Sequence, residues 1–290
     1  MTNHESILPQ GTKPGPRRSR RGFHTRAWFI PVLAFASICL VSIFAPLLTP
    51  YGPAQLGDTQ LAPPSLQHLF GTDELGRDLL TRTLYGGRVS LLVAVGATLI
   101  SMVLGTVWGV AAALTRSYVS EPLMRLADVI MGIPGILLAL VLVAALGTSM
   151  TSLTVIIGVL LSPSTARLAR AVGLGEVQGD YALAARAYGA SNGRLILREL
   201  LPNMVPQLAV QATVNAAHAI MIEAALSFVG VGVQPPDASW GSLVRSGYER
   251  IYDAPNYAIF PGLMMVATVW ALNVLGDRLG VAPSARVISA

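Results

Sequence analysis

The chain has 290 residues, 53% of them hydrophobic and 12% charged, with a net charge of +5. A soluble domain carries about 25% charged residues, so this composition excludes a protein of two soluble domains, and the apolar content excludes a disordered one. A lone cysteine, Cys39, excludes an internal disulfide and a cysteine-built metal cluster, and reads as an apolar filler.

In chain order, residues 1–26 come first. They are rich in Pro, Gly, Ser and Arg, lack periodicity, and hold Lys13, Arg17, Arg18, Arg20, Arg21 and Arg26 against one acid, Glu5. A disordered basic cytoplasmic tail is expected. The run 27–48 carries no charge over 22 residues, about 33 Å of helix, enough to cross a ~30 Å hydrocarbon core. A cleaved signal peptide has a shorter apolar region, ~7–15 residues, with small residues at the cleavage site. This run ends Pro46-Leu47-Leu48-Thr49-Pro50 and is read as a retained anchor.

Five further apolar runs follow: 89–114; 129–150, with Pro134 inside; 151–166, with Pro163, its helix continuing towards Arg170; 204–229, with one acid, Glu223; and 258–276. Backbone polar groups in lipid are bonded within their own segment, so each run is expected to be a helix. The expected product is an all-α polytopic membrane protein: a six-helix transmembrane domain over 27–280 and a cytoplasmic tail over 281–290. With the N-terminus inside, the cytoplasmic segments hold fifteen of the twenty basic residues, and the external segments 49–88 and 230–257 hold only Arg77, Arg82, Arg88, Arg245 and Arg250. That bias places both termini in the cytoplasm of a multi-pass cell-membrane protein. The basic tail is then a topology signal beside anionic lipid rather than a nucleic-acid arm.

The sequence lacks a GxxxxGK[ST] phosphate loop and any His/Cys cluster with metal spacing. No catalysis, cofactor or metal is therefore expected in this chain. Of the scattered His4, His24, His68 and His218, only His218 lies inside a span, where an interhelical hydrogen bond is expected.

Residues 178–203 form the long inside segment. Asp180 is an expected N-cap for a helix through Tyr188. Gly189 would stop that helix in a left-handed conformation. Ser191 or Asn192 would cap a second helix ending before Pro202. Two short amphipathic helices around a sharp turn could seat in a groove on a soluble partner.

This segment resembles the EAA loop of permease subunits of binding-protein-dependent ABC importers. Ala184, Ala185 and Gly189 fit that pattern, as do Leu201, Pro202 and Asn203; Leu183 stands where the pattern has Glu. Residues 68–91, 225–241 and 272–279 are similar to segments of the C-type permeases of dipeptide and oligopeptide importers, so the resemblance runs from residue 28 to 280. It implies a type I ABC importer permease fold, paired with a second permease as a heterodimer. It also implies two cytoplasmic ATPases that bind the ATP and magnesium, and an external substrate-binding protein. Coupling to the ATPases would run through Asp180, Ala184, Ala185, Arg186, Gly189, Ala190, Ser191, Arg198, Leu201 and Pro202. This chain would form half of the translocation pathway. Dipeptides or oligopeptides are the implied cargo, with nickel, haem or another small solute as the alternative. A self-contained channel or secondary transporter is the reading from a different class. It needs intramembrane ionisable groups or paired broken helices, and Glu223 and His218 are slender material for it.

On the outer face, Asp73, Glu74 and Asp78 can pair with Arg77 or Arg82 in a solvated loop, where exposed pairs are worth ~0–1 kcal/mol. Gly230, Gly232, Pro235 and Pro236 break the helix after the fifth span into a stiff outer loop, and Trp240 is expected at the lipid interface. The resemblance implies docking of the binding protein on this surface, with Asp73, Arg77, Asp78, Pro235, Pro236 and Trp240 as candidates. A carboxylate in lipid is expensive, so Glu223 should face protein, water or a basic partner. A polar contact to another span or to the second permease stands against a place beside the pathway or outer gate, shared with Ser227. Arg125 and Asp128 are expected to pair along one helix face. Gly96, Gly105, Gly109 and Ala111, Ala112 and Ala113 would let the second span pack closely and slide.

Overall fold

The computed structural model describes residues 29–281. The expected tails, residues 1–26 and everything beyond Val281, lie outside the described residues. Helices run in the order α1 Phe29–Ile43, α2 Ala45–Leu48, α3 Leu79–Leu114, α4 Ser117–Gly132, α5 Gly135–Leu146, α6 Met150–Val177, α7 Asp180–Ala187, α8 Asn192–Arg194, a π-helical segment Leu195–Leu200, α9 Leu201–Val229, α10 Trp240–Glu249 and α11 Asn256–Val281. No strand occurs among the described residues; an isolated bridge joins Thr72 to Asp78.

Among the described residues, four helical rods are long and apolar enough to cross a membrane: Leu79–Leu114, Met150–Val177, Asn192–Val229 and Asn256–Gly280. The six expected spans are not reproduced as six straight helices, and two of them are broken. The run 129–150 is not one straight helix, because α4 and α5 meet at a 93° bend. Proline lacks an N–H and pushes the residue before it out of the helical region. Ile133 accordingly sits extended at φ −89°, ψ 133°, ahead of Pro134. In the first span, α1 covers 15 residues and α2 four more after a break at Phe44. Pro163 leaves α6 unbroken: the Val159 carbonyl that lacks its usual N–H partner accepts the Ser162 hydroxyl at 2.7 Å.

The core is built on α3 and α6, which run parallel and touch through glycines. A Cβ at Gly105 would lie 2.5 Å from Thr165 Cβ, one at Gly96 would lie 2.6 Å from Thr154 Cγ2, and one at Gly158 would lie 2.7 Å from Ile100 Cβ. Small residues therefore set the interhelical distance, and a larger side chain would force the helices apart. This interdigitation fits a fixed joint better than the sliding contact expected from the sequence. α9 runs antiparallel to α3 and closes the core. Midway along it, buried Asn215 donates from Nδ2 to Ser101 Oγ at 3.0 Å and to Thr165 Oγ1 at 2.8 Å, and Gln211 donates to Asn215 Oδ1 at 2.8 Å. One amide thus ties three spans in a region where an unsatisfied polar group would be costly.

Candidate functional site

The segment between α6 and α9 projects as a knob. α7 begins one residue earlier than expected: Gly179 is the N-cap and Asp180 the first helical residue. There its charge still complements the positive helix end. Tyr181 donates its hydroxyl to the Glu176 carboxylate. Burial, followed by that bond, pushes the Tyr181 hydroxyl up to about 12. Gly189 has φ +79°, as expected from the sequence. Its N–H donates to Arg186 O at 2.9 Å and the Ala190 N–H to Ala185 O at 3.0 Å, a Schellman closure of α7. Ser191 then caps the next helix, its Oγ accepting from the Arg194 N–H.

The second helix of the pair does not end before Pro202. It passes through the π-helical segment into α9 as one rod, Asn192–Val229. The Leu201 N–H donates to Ile196 O, five residues back. That wider turn displaces the carbonyls Pro202 would otherwise strike, so the proline is absorbed rather than terminating the helix. Ala182, Leu195, Leu200 and Met204 are fully buried against Val110 and Ala169. The other flank faces outward: Asp180, Ala184, Arg186, Gly189, Ser191, Arg198 and Pro202 are exposed, and Ala185, Ala190 and Leu201 are half-buried. Leu183 and Tyr188 are exposed at 52% and 92%.

At the far end of the same rod, Glu223 is completely buried. Its carboxylate accepts from Ser90 Oγ at 2.9 Å and from Ser227 Oγ at 2.7 Å. Ser227 Oγ in turn accepts from the Val233 N–H at 3.2 Å and from Ser239 Oγ at 3.2 Å, and Ser90 Oγ accepts from the Trp240 N–H at 3.2 Å. Ser239 caps α10 through a reciprocal bond with Ser242. The cluster locks α3, α9 and the start of α10 together. Glu223 and Ser227 therefore lie buried inside the chain, the acid satisfied by the Ser90 and Ser227 hydroxyls. Trp240 is corrected as well: it is fully buried rather than interfacial. Gly87 leaves room for it against α3, and its Nε1–H donates to Thr83 O at 3.0 Å.

Residues 71–78 are not a solvated loop, although most of 52–69 is exposed. Asp73 is fully buried, and its Oδ1 accepts from the Leu75 and Arg77 N–H groups at 2.9 Å each. Its Oδ2 pairs with Arg77 Nε at 2.6 Å and Arg82 Nε at 3.3 Å. Asp78 caps α3, accepting from Thr81 N at 2.8 Å and lying 3.0 Å from His68 Nδ1. Asn256 Nδ2 donates to Phe70 O at 2.6 Å, and Phe70 stacks on Phe260 at 3.8 Å. Asp73 and Asp78 fold this segment onto the start of α3, while Asn256 and Phe260 hold it on α11. Of the docking candidates, Pro235 and Pro236 are exposed, Arg77 is half-buried, and Asp73, Asp78 and Trp240 are buried.

Residues 101–289 match the family described as the binding-protein-dependent transport system inner membrane component. The chain belongs to this family. It is thus the permease of a binding-protein-dependent ABC importer, a multi-pass membrane component. A protein of Brucella suis biovar 1, named as a peptide transport system permease protein, is 40% identical over 270 residues, covering 93% of this permease and 91% of the relative. The di/tripeptide transport system permease protein DppC of Pseudomonas aeruginosa is 37% identical, covering 96% and 95%. The fold is that of the permease in an inward-facing structure of the MetNI methionine ABC transporter. The TM-score is 0.57 at 22% identity, with 70% of this chain and 95% of that chain covered.

Two charged or polar groups of the permease lie elsewhere than the sequence suggested. Asp128 pairs with Arg167 on α6 at 2.5 Å rather than with Arg125 on its own helix. His218 is exposed on α9 and has no hydrogen-bond partner among the described residues, so the expected interhelical bond is not made. Ser90, a partner of Glu223, and Ser239, a partner of Ser227, carried no signal in the sequence, since they approach only through tertiary packing.

Proposed function

We propose that this permease forms half of the pathway of an ATP-driven importer of dipeptides or oligopeptides, beside a second permease, two ATPases and an external binding protein. The relatives named as peptide permeases at 40% and 37% identity support the cargo. The observation that carries the mechanism is the rod Asn192–Val229, whose ends are the knob and the Glu223 cluster. It spans 38 residues, roughly 57 Å of helix. An ATPase gripping the exposed flank of α7, with Leu183, Arg186 and Tyr188, would push the Schellman turn at Gly189. The rod would carry that displacement to α10 and the outer loop, where the binding protein docks. ATP hydrolysis belongs to the ATPases; this chain converts their movement into a tilt of its spans.

Both termini are assigned to the cytoplasm on the bias of basic residues. The pathway itself is assigned to the exposed flank of α9 that carries His218, because an imidazole facing acyl chains would be costly. The test is reconstitution with the partner subunits and a Gly189→Val variant. ATP hydrolysis should continue while uptake of labelled dipeptide falls; unchanged uptake at normal subunit levels would contradict the coupling role. Uptake of nickel or haem in place of peptide would overturn the cargo alone.

A further inference from the structure

A groove between α1 and α3 belongs to neither the knob nor the Glu223 cluster. Its volume is about 270 Å³, and its lining includes Phe35, Cys39, Ser42, Arg88, Leu92 and Val95. Leu92 and Val95 are exposed at 60% and 52%, so in a membrane chain the groove opens towards the acyl chains. Two polar groups interrupt the apolar wall, both at the 49–78 end. Ser42 is fully buried and its Oγ has no hydrogen-bond partner among the described residues. Arg88 makes no ion pair among the described residues; its guanidinium carbon lies 5.6 Å from the Tyr85 ring centroid. Stacking of that kind leaves the in-plane N–H donors available. Arg88 is also the last charged residue before the uncharged stretch 89–114, which puts it where the hydrocarbon begins.

The antiparallel run of the two helices fixes the length of the groove. Ser42 to Phe35 on α1 and Arg88 to Val95 on α3 are each seven residues, roughly 10 Å. A cation and a hydroxyl donor therefore stand at one end of an apolar trough long enough for the first half of an acyl chain. We infer that the groove binds a phospholipid, with its phosphate on the Arg88 guanidinium and the Ser42 hydroxyl and one acyl chain laid along α1 and α3. A planar guanidinium meets two phosphate oxygens at once. A headgroup with net negative charge is preferred, since a zwitterionic one brings its own cation to compete for the phosphate.

The test uses the full chain, purified with the subunits that accompany it, and native mass spectrometry with added phosphatidylglycerol, phosphatidylcholine or diacylglycerol. One phosphatidylglycerol should be retained, phosphatidylcholine less, and diacylglycerol not at all. Arg88→Gln should weaken retention about tenfold, and Arg88→Lys by less. Leu92→Trp fills the trough while leaving Arg88 in place, and should lose the same lipid. Cys39 is the single cysteine, and its place in the groove makes it the reporter of location. Phosphatidylglycerol should slow its alkylation by N-ethylmaleimide in the wild type and not in Arg88→Gln. Equal lipid retention by Arg88→Gln and Leu92→Trp would overturn the proposal. So would full protection of Cys39 in lipid-stripped complex, which would put a helix of another subunit in the groove.

Discussion

The segments 49–78 and 178–203 are both polar stretches at opposite ends of the same helices, and they are held in opposite ways. In the first, buried Asp73 gathers two backbone N–H groups and two arginines, and Asp78 caps α3 beside His68. In the second, a small apolar layer of Ala182, Leu195, Leu200 and Met204 anchors the knob, and Asp180, Arg186 and Arg198 point away from it. A segment that satisfies its own charges is finished before any partner arrives. A segment that presents charges and a bare Leu183 and Tyr188 leaves its contacts to be completed by another surface.

This contrast can be broken by removing one group at a time. Asp73→Ala leaves Arg77 and Arg82 facing each other in the interior, and should cost about 3–5 kcal/mol, read as a lowered melting temperature in detergent and new protease sites within 49–78. Asp180→Ala should cost less than ~1 kcal/mol, and equal losses would erase the distinction. Glu223→Leu strands the Ser90 and Ser227 hydroxyls and should cost about 2–3 kcal/mol, while Glu223→Gln keeps an acceptor and should lose less in the same melt. Gly189→Val places a β-branched residue at φ +79°, a penalty of roughly 1–2 kcal/mol, yet peptide uptake should fall far more than stability does. The smallest effect is expected at Tyr181→Phe, about 0.5 kcal/mol from one exposed hydrogen bond. The fold holds the neutral Tyr181 hydroxyl, so its tie to Glu176 is complete below 10.0 and is lost as pH rises towards about 12. The tyrosinate absorbance that separates wild type from Tyr181→Phe should accordingly emerge only near the upper end of that window.

Chemistry that is local in sequence was legible. Gly189 was read correctly because a left-handed turn after a short helix has one natural occupant. The apolar runs were read correctly as helical, though not each as one straight helix, because uncharged stretches of that length have one stable backbone solution in lipid. Prolines were harder, since the cost of a proline depends on what the neighbouring turn can do. Pro134 breaks its span by 93°, Pro163 is rescued by the Ser162 hydroxyl, and Pro202 is absorbed by a π-helical turn. Trp240 was misplaced because a tryptophan near a span end is usually interfacial. The contrary signal was Gly87, whose missing side chain makes the space the indole fills. Nothing in the spacing of Ser90 and Glu223, 133 residues apart, could announce their bond.

Asn215 has a consequence for the order of assembly. Its amide lies in the middle of α9, and both hydroxyls that receive it, Ser101 and Thr165, are made earlier in synthesis. The two hydroxyls lie 3.0 Å from each other and can pair while they wait. When α9 enters the bilayer, the most polar group of its midsection finds a ready acceptor pair. A chain cut before residue 215 would keep α3 and α6 together, whereas an α9 inserted alone would have to seek another bond for its amide in the membrane.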